Sequence, residues 1–252
     1  MPEEYTLKEL MVVRASKEIK DGEKVFIGTG LPMIAGMLAK YTHAPNCVII
    51  FEAGTVDSKL LDLPASVGDP RCVYGASTCT GLFDIFSMLQ DGKIDIGFLG
   101  GGQVDKYGNL NSTAIGEYRC PEVRFPGSGG ACDMACLSKR VVIIMKHELR
   151  RFPAEVDYLT SPGWMDGPGG REKAGLVRGG PTTVITDLGV MKFDPSSKEM
   201  YLDSYYPGVS IEKIRENTGF DIDCSRAGET EKPHIEEIAL LRNKIAPKGS
   251  LR

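Results

Sequence analysis

The apolar residues of this chain fall into two alternating rhythms. Short unbroken runs mark strands covered on both faces, and spacing of three to four marks helices with one buried stripe. Leu7, Leu10, Met11 and Ala15 keep helical spacing, and Thr6-Leu7-Lys8-Glu9 has the form of a capping box, with Asp21-Gly22 as the stop. KVFIG (24–28) reads as a strand, GTGLP as a turn and 33–40 as a helix. Further strands are expected at 47–51, 72–74, 94–99, 140–145, 156–159 and 183–186, and LFDIFSML (82–89) reads as an amphipathic helix. Residues 190–193 and 200–202 suit a hairpin across 194–198. Ser210 caps a helix ending near Gly219, and 235–244 forms a C-terminal helix.

Strands alternating with helices predict an α/β fold with an open, largely parallel sheet flanked by helices. No repeat or clear linker interrupts the pattern. The Gly/Pro-rich stretch 161–181 is too short to divide the chain, so one domain over 1–252 is expected. In open α/β sheets, ligands bind beyond the carboxyl ends of the strands. Gly28-Thr29-Gly30, Glu52 and Gly100-Gly101-Gly102 all sit at such ends.

Composition narrows the partners. A formal charge of −4 argues against nucleic acid, which needs a basic face. No run approaches the ~18 apolar residues of a membrane span, and MPEEYTLKEL lacks the order of a signal peptide. The seven cysteines follow no disulfide framework, so a cytoplasmic setting and a role as small core residues are expected. His43, His147 and His234 are isolated, and no metal site is expected. The 30 glycines are unusual, about 12% against an average near 7%. They cluster in loops, which suggests a site lined by main chain.

Gly28-Thr29-Gly30 invites a dinucleotide fingerprint, but Met33 stands where its third glycine belongs. No G-x-S-x-G elbow occurs, since GSGGA at 127–131 is a different motif. Glu52 is the sharper signal. It follows the apolar run 47–51 and precedes Ala53 and Gly54, which leave it uncovered. A carboxylate can act as a covalent nucleophile, and on a thioester carbonyl it gives a mixed anhydride with the thiolate leaving. Return of the thiolate gives an enzyme thioester without ATP, metal or organic cofactor. Backbone N–H groups of glycine loops can hold the tetrahedral oxyanion.

FEAG at 51–54, GGGQVDKYGNLNST at 100–113, RFPGSGGA at 124–131, HELRRF at 147–152, SPGWMDGPGGRE at 161–172 and ENTGFDID at 216–223 occur in order. Together they resemble the class I CoA-transferases, in particular small (beta) subunits of the glutaconate type. The resemblance implies CoA transfer between a short-chain acyl-CoA and a (di)carboxylic acid by a ping-pong route through a glutamyl–CoA thioester. Glu52 carries over as nucleophile, with Ala53 in place of the usual small polar residue. It also implies a partner alpha subunit, a site completed at the subunit interface and an α2β2 or α4β4 assembly. No cofactor is bound permanently, and the CoA thioester is substrate. Gly28, Gly30, Gly100, Gly101, Gly102 and Gln103 are assigned to the substrate or CoA wall, with Ser128, Gly129 and Gly130 ranked second. Tyr107-Gly108-Asn109 is read as a turn, Trp164 as a packing or subunit-contact residue, and Asp105 as an organiser of the GGGQVD loop. The alternatives are a related acyl-CoA hydrolase or ring-opening or decarboxylating CoA-thioester enzyme of the same fold, in which Glu52 activates water or orients substrate, and a non-catalytic or nucleotide-binding partner subunit; the ring-opening and decarboxylating relatives lack this glutamate, so Glu52 favours transfer.

Overall fold

A computed structural model describes residues 5–176, 178–247, 249 and 251. In chain order the strands are β1 (Lys24–Phe26), β2 (Val48–Ile50), β3 (Thr55–Val56), β4 (Thr78–Cys79), β5 (Ile96–Leu99), β6 (Gln103–Val104), β7 (Leu110–Asn111), β8 (Ala114–Ile115), β9 (Val123–Arg124), β10 (Arg140–Ile144), β11 (Pro181–Ile185), β12 (Gly189–Phe193), β13 (Met200–Tyr205) and β14 (Gly228–Glu229). The helices are α1 (Leu7–Lys17), α2 (Leu31–Tyr41), α3 (Leu82–Gln90), α4 (Ala131–Leu137), α5 (Gly170–Lys173), α6 (Ile211–Glu216) and α7 (Ile235–Leu240). The chain forms two compact units, one from 1–98 and 232–252 and the other from 99–231. Among the described residues, no helix is long and apolar enough to cross a membrane.

In the first unit the strands run in the order β5-β1-β2-β3-β4. β1 pairs in parallel with β2 and with β5, whereas β2/β3 and β3/β4 are antiparallel. The expected capping box on α1 is present: Thr6 Oγ1 accepts from Glu9 N, and Glu9 Oε2 accepts from Thr6 N at 2.7 Å. The Glu9 carboxylate is buried and takes both Nε and Nη2 of Arg242, at 2.7 and 2.8 Å. Burial pushes its pKa up, but the Arg242 hydrogen bonds outweigh that and hold it below the usual carboxylate value. The pair fastens α1 to the C-terminal segment, where α7 widens into a π turn at Leu241–Ile245.

In the second unit the order is β10-β11-β12-β13-β14, with separate ribbons β6–β7 and β8–β9. β10/β11 and β13/β14 are parallel, and β11/β12 and β12/β13 are antiparallel. The expected hairpin is β12–β13, and the expected Ser210 cap accepts from Lys213 N at 3.2 Å.

The open α/β sheet is therefore mixed: the parallel pairs join β1 with β2 and β5, β10 with β11, and β13 with β14, and the other pairs are antiparallel. Two expected strands are absent. Residues 70–73 form a 3₁₀ turn because Asp69 caps it and Pro70 occupies its first position. Residues 157 and 158 bend, and 156 and 159 carry no regular structure. The cysteines also divide. Cys47, Cys72 and Cys224 are buried, Cys132 and Cys136 are half-buried, and Cys79 and Cys120 are exposed, so the core reading holds for three of the seven.

Candidate active site

β2 ends one residue earlier than its apolar run, because Phe51 turns the chain back. Phe51 N donates to Thr55 O at 2.9 Å, and Gly54 N donates to Phe51 O at 3.0 Å. The result is a four-residue turn with Glu52 and Ala53 at its two corners. Gly54 takes φ +118°, and a Cβ there would lie 2.0 Å from Thr80 O, so glycine is required. Thr80 N in turn donates to Gly54 O at 2.9 Å. The turn is thus fixed through its backbone. The Glu52 side chain is half-buried, and it makes no hydrogen bond or ion pair among the described residues.

Gly28 and Gly30 reach the same edge of the first unit as Glu52. Phe26 is in register with Ile50, so Gly28 and Glu52 each lie two residues beyond a paired position. Ile27 N donates to Ile50 O at 3.1 Å and extends that pairing. Gly30 has φ +86° and caps α2, whereas nothing lies within 4 Å of a Cβ placed on Gly28. Met33 is fully buried, so the third position of the dinucleotide fingerprint is a core residue.

The remaining candidates lie in the second unit. The glycines at 100–102 are needed for close packing. A Cβ on Gly102 would lie 2.4 Å from the Phe125 ring, and one on Gly101 would lie 3.1 Å from Leu110 Cδ2. Gly102 N donates to Asn111 O at 2.7 Å. Gln103, assigned to the ligand wall, is engaged within the second unit. Its side chain is buried, its Nε2 donates to Asp157, and its Oε1 accepts from Asn111 Nδ2 at 2.7 Å and Asp157 N at 3.1 Å. It is a framing residue, and those contacts hold the loop at 100–103 against the segment at 157.

Ser128 caps α4, its hydroxyl accepting from Cys132 N at 3.0 Å. Gly129 takes φ +50° with open space at its Cβ position, and Gly130 is the N-cap position. The same frame reaches this second glycine loop. The hydroxyl of Ser112, next to Asn111, donates to Gly127 O at 3.1 Å, and the Ser112 carbonyl accepts from Gly127 N at 2.9 Å.

Asp105 organises its loop as expected. Oδ1 accepts from Tyr107 N and Asn109 N, and Oδ2 accepts from Asn109 Nδ2, at 2.9–3.1 Å. Burial raises its pKa against those hydrogen bonds. Asn109 Oδ1 accepts from Gly163 N and Met165 N, which ties in the SPGWMDGPGG loop. Trp164 packs against Gly180 and donates to Pro181 O at 3.0 Å. Sequence reasoning missed Arg171. This guanidinium is buried and donates to the carbonyls of Pro162, Gly163, Ala135 and Arg178, binding that loop to the end of α4. His147 has no Cys or Ser partner among the described residues. It stacks on Phe152 at 4.1 Å, its nitrogens meet the hydroxyls of Thr186 and Thr218, and burial lowers its pKa to about 4. No cluster of three or more His, Cys, Asp or Glu suited to a metal occurs among the described residues.

Residues 8–217 match the family model described as coenzyme A transferase. The B-type subunit of glutaconate CoA-transferase from Acidaminococcus fermentans is 48% identical over 96% of this chain and 93% of its own length. The B-type subunit of 3-oxoadipate CoA-transferase from Pseudomonas knackmussii is 41% identical over 94% and 92%. The crystal structure of glutaconate coenzyme A-transferase from Acidaminococcus fermentans matches with a TM-score of 0.94 at 44% identity, covering 98% of both chains.

Proposed function

The chain belongs to the coenzyme A transferase family, as a beta-type subunit that works with a partner subunit, and on that premise we propose that it supplies Glu52 as the covalent nucleophile. The enzyme so formed moves CoA between a short-chain acyl-CoA and a dicarboxylic acid such as glutaconate. The observation that carries this reading is the state of Glu52. It is a half-buried carboxylate with its backbone locked in a hairpin turn and its oxygens engaged by no protein donor among the described residues.

The chemistry needs such a group. A Glu52 oxygen attacks the thioester carbonyl carbon, the C–S bond breaks, and CoA thiolate leaves an acyl–glutamyl anhydride. The thiolate then attacks the glutamyl carbonyl, and the C–O bond to the donor acid breaks. A glutamyl–CoA thioester and a free carboxylate result. The acceptor acid runs these steps in reverse. No net proton is taken up, so no general base is required beside Glu52. A carboxylate already bound by N–H donors would be a weaker nucleophile and would have to be stripped first. Gly28 borders the same strand edge with open space above it, which suits approach of the acyl group.

The test uses the heteromer. Mixed with acyl-CoA in the absence of acceptor, the wild-type complex is expected to gain a CoA adduct on Glu52, visible by mass spectrometry and reducible by borohydride. Glu52→Gln should show neither adduct nor exchange. Exchange by Glu52→Gln near the wild-type rate rules out the nucleophile. Steady release of free CoA without an acceptor acid identifies a hydrolase instead.

A further inference from the structure

Cys132 and Cys136 stand four residues apart on α4, and no other two of the seven cysteines share that spacing. Residues i and i+4 of a helix lie on one face, one above the other. The Cys136 thiol accordingly shares a side-chain hydrogen bond with Cys132. Both residues are half-buried, neither sealed in the core like Cys47 nor open to solvent like Cys79 and Cys120.

A buried cation lies beside the pair. Arg171 is only 3% exposed. Every hydrogen bond that it makes among the described residues goes to a main-chain carbonyl, one of them Ala135 O in the last turn of α4, and its Nε makes none. Its charge is therefore solvated by dipoles and offset by no bound carboxylate, which is a costly state for a buried ion. Burial pushes the Cys136 thiol up to about 11, and the Arg171 charge acts the other way.

Spacing decides what the two sulfurs can hold. Helical i and i+4 Cβ atoms lie about 5–6 Å apart. A disulfide needs them about 3.8 Å apart, so a direct S–S bond would break the turn. A single metal atom between the sulfurs removes that demand. With metal–thiolate bonds of about 2.3 Å it bridges sulfurs up to about 4.6 Å apart. Zinc would need two further ligands, and no group of three or more His, Cys, Asp or Glu suited to a metal occurs among the described residues. Cu(I) is a soft, thiolate-seeking ion that two sulfurs in a near-linear arrangement satisfy.

We propose that Cys132 and Cys136 form a two-coordinate thiolate site for Cu(I), with Arg171 balancing its charge. Binding breaks two S–H bonds, forms two Cu–S bonds and releases two protons to solvent. The copper remains Cu(I), so no oxidant or reductant is consumed. The bis-thiolate complex carries one negative charge, opposite to that of Arg171. The metal staples one turn of a seven-residue helix that is otherwise held by Ser128 on Cys132 N and by Arg171 on Ala135 O.

The experiment uses the assembled complex, reduced and free of oxygen, in competition with bicinchoninate for Cu(I). Wild type should withdraw one more Cu(I) per copy of this chain than Cys132→Ser or Cys136→Ser. Each substitution should weaken that site by more than about a hundredfold, beyond the loss of an outer-shell partner. Cys79→Ser and Cys120→Ser, exposed elsewhere, should bind as wild type does. A second measurement needs no variant. Cu(I) should protect Cys132 and Cys136 from iodoacetamide, mapped by mass spectrometry, and leave Cys79 and Cys120 open. X-ray absorption should show copper with two sulfur neighbours. Unchanged withdrawal by both serine variants overturns the site, as does alkylation of the pair at the same rate with and without Cu(I). Copper bound by nitrogen or oxygen also overturns it. Ready closure of a Cys132–Cys136 disulfide by glutathione disulfide overturns the spacing argument and makes the pair a redox couple instead.

Discussion

Glu52 and Asp105 are both carboxylates set just past a strand among glycines, and the structure treats them in opposite ways. Asp105 is buried and accepts three hydrogen bonds from Tyr107 and Asn109, and the loop around it takes its shape from those bonds. Glu52 is half-buried, accepts none among the described residues, and the turn around it is built by main chain and Gly54. Glycine marks tight packing beside both, at Gly102 under Phe125 and at Gly54 under Thr80. Proximity to glycine therefore does not distinguish a reactive carboxylate from a structural one. The number of donors already aimed at it does, since a saturated carboxylate stabilises a fold and an unsaturated one is available to substrate.

The sharpest break in that comparison is replacement of Glu52. Glu52→Ala should lower kcat by about a thousandfold or more, the scale of losing a nucleophile. Its unfolding temperature should stay at the wild-type value, since no side-chain hydrogen bond is lost. A fall in stability matching that of a buried-contact mutant would move Glu52 into the structural class.

His147 belongs with Asp105, as a polar group fully engaged inside the second unit. Its pKa is about 4 when folded against an ordinary 6.5. Between those values the unfolded chain holds the extra proton, so stability is lost as pH falls from 6.5 towards 4. The loss should reach about 2.5 kcal/mol by pH ~4.5. Asp105, with its pKa raised by burial, works in the opposite direction as it takes up a proton. Urea unfolding at pH ~6.5 and ~4.5 checks this, and His147→Gln should remove most of the acid loss. An unchanged pH dependence in that variant would place the sensitivity elsewhere.

Asp105→Ala gives the mirror image of Glu52→Ala. Removing an acceptor of three buried hydrogen bonds leaves donors of the Asn109 turn unsatisfied and should cost about 2–3 kcal/mol. For a chain of this length that is a drop of roughly 5–10 °C in unfolding temperature. Activity at low temperature should follow the folded fraction. A kcat loss in fully folded Asp105→Ala would show that the two carboxylates cannot be sorted by their donors.

Much of this contrast could be read before the structure. The apolar runs that became Val48–Ile50 and Arg140–Ile144 announced themselves, and so did the Thr6–Glu9 capping box. Glu52 stood out because a charge ended such a run. Thr55–Val56 and Thr78–Cys79 did not, since two-residue strands have no period to detect and the second carries no apolar signal. The bond from Gln103 to Asp157 was not legible, because the partner lies 54 residues away and local spacing carries no trace of it. Arg171 escaped notice for a related reason. Its partners are backbone carbonyls, which every residue has, so no motif records them.

The smallest effect tests whether open space beside Glu52 is occupied by substrate. Gly28 has no backbone demand for glycine, and a Cβ there meets nothing within 4 Å. Gly28→Ala should therefore leave stability within about 0.5 kcal/mol of wild type. The methyl would project over the edge where Gly28 and Glu52 lie at equal offsets beyond β1 and β2. If the acyl group is bound against that edge, KM for acyl-CoA should rise severalfold while kcat changes little, because the methyl obstructs binding without touching the nucleophile. Gly30→Ala cannot serve as the probe, since φ +86° makes any side chain there strain the cap of α2. A Gly28→Ala enzyme with unchanged KM places the acyl chain away from β1 and leaves Glu52 approached from the β3 side of its turn.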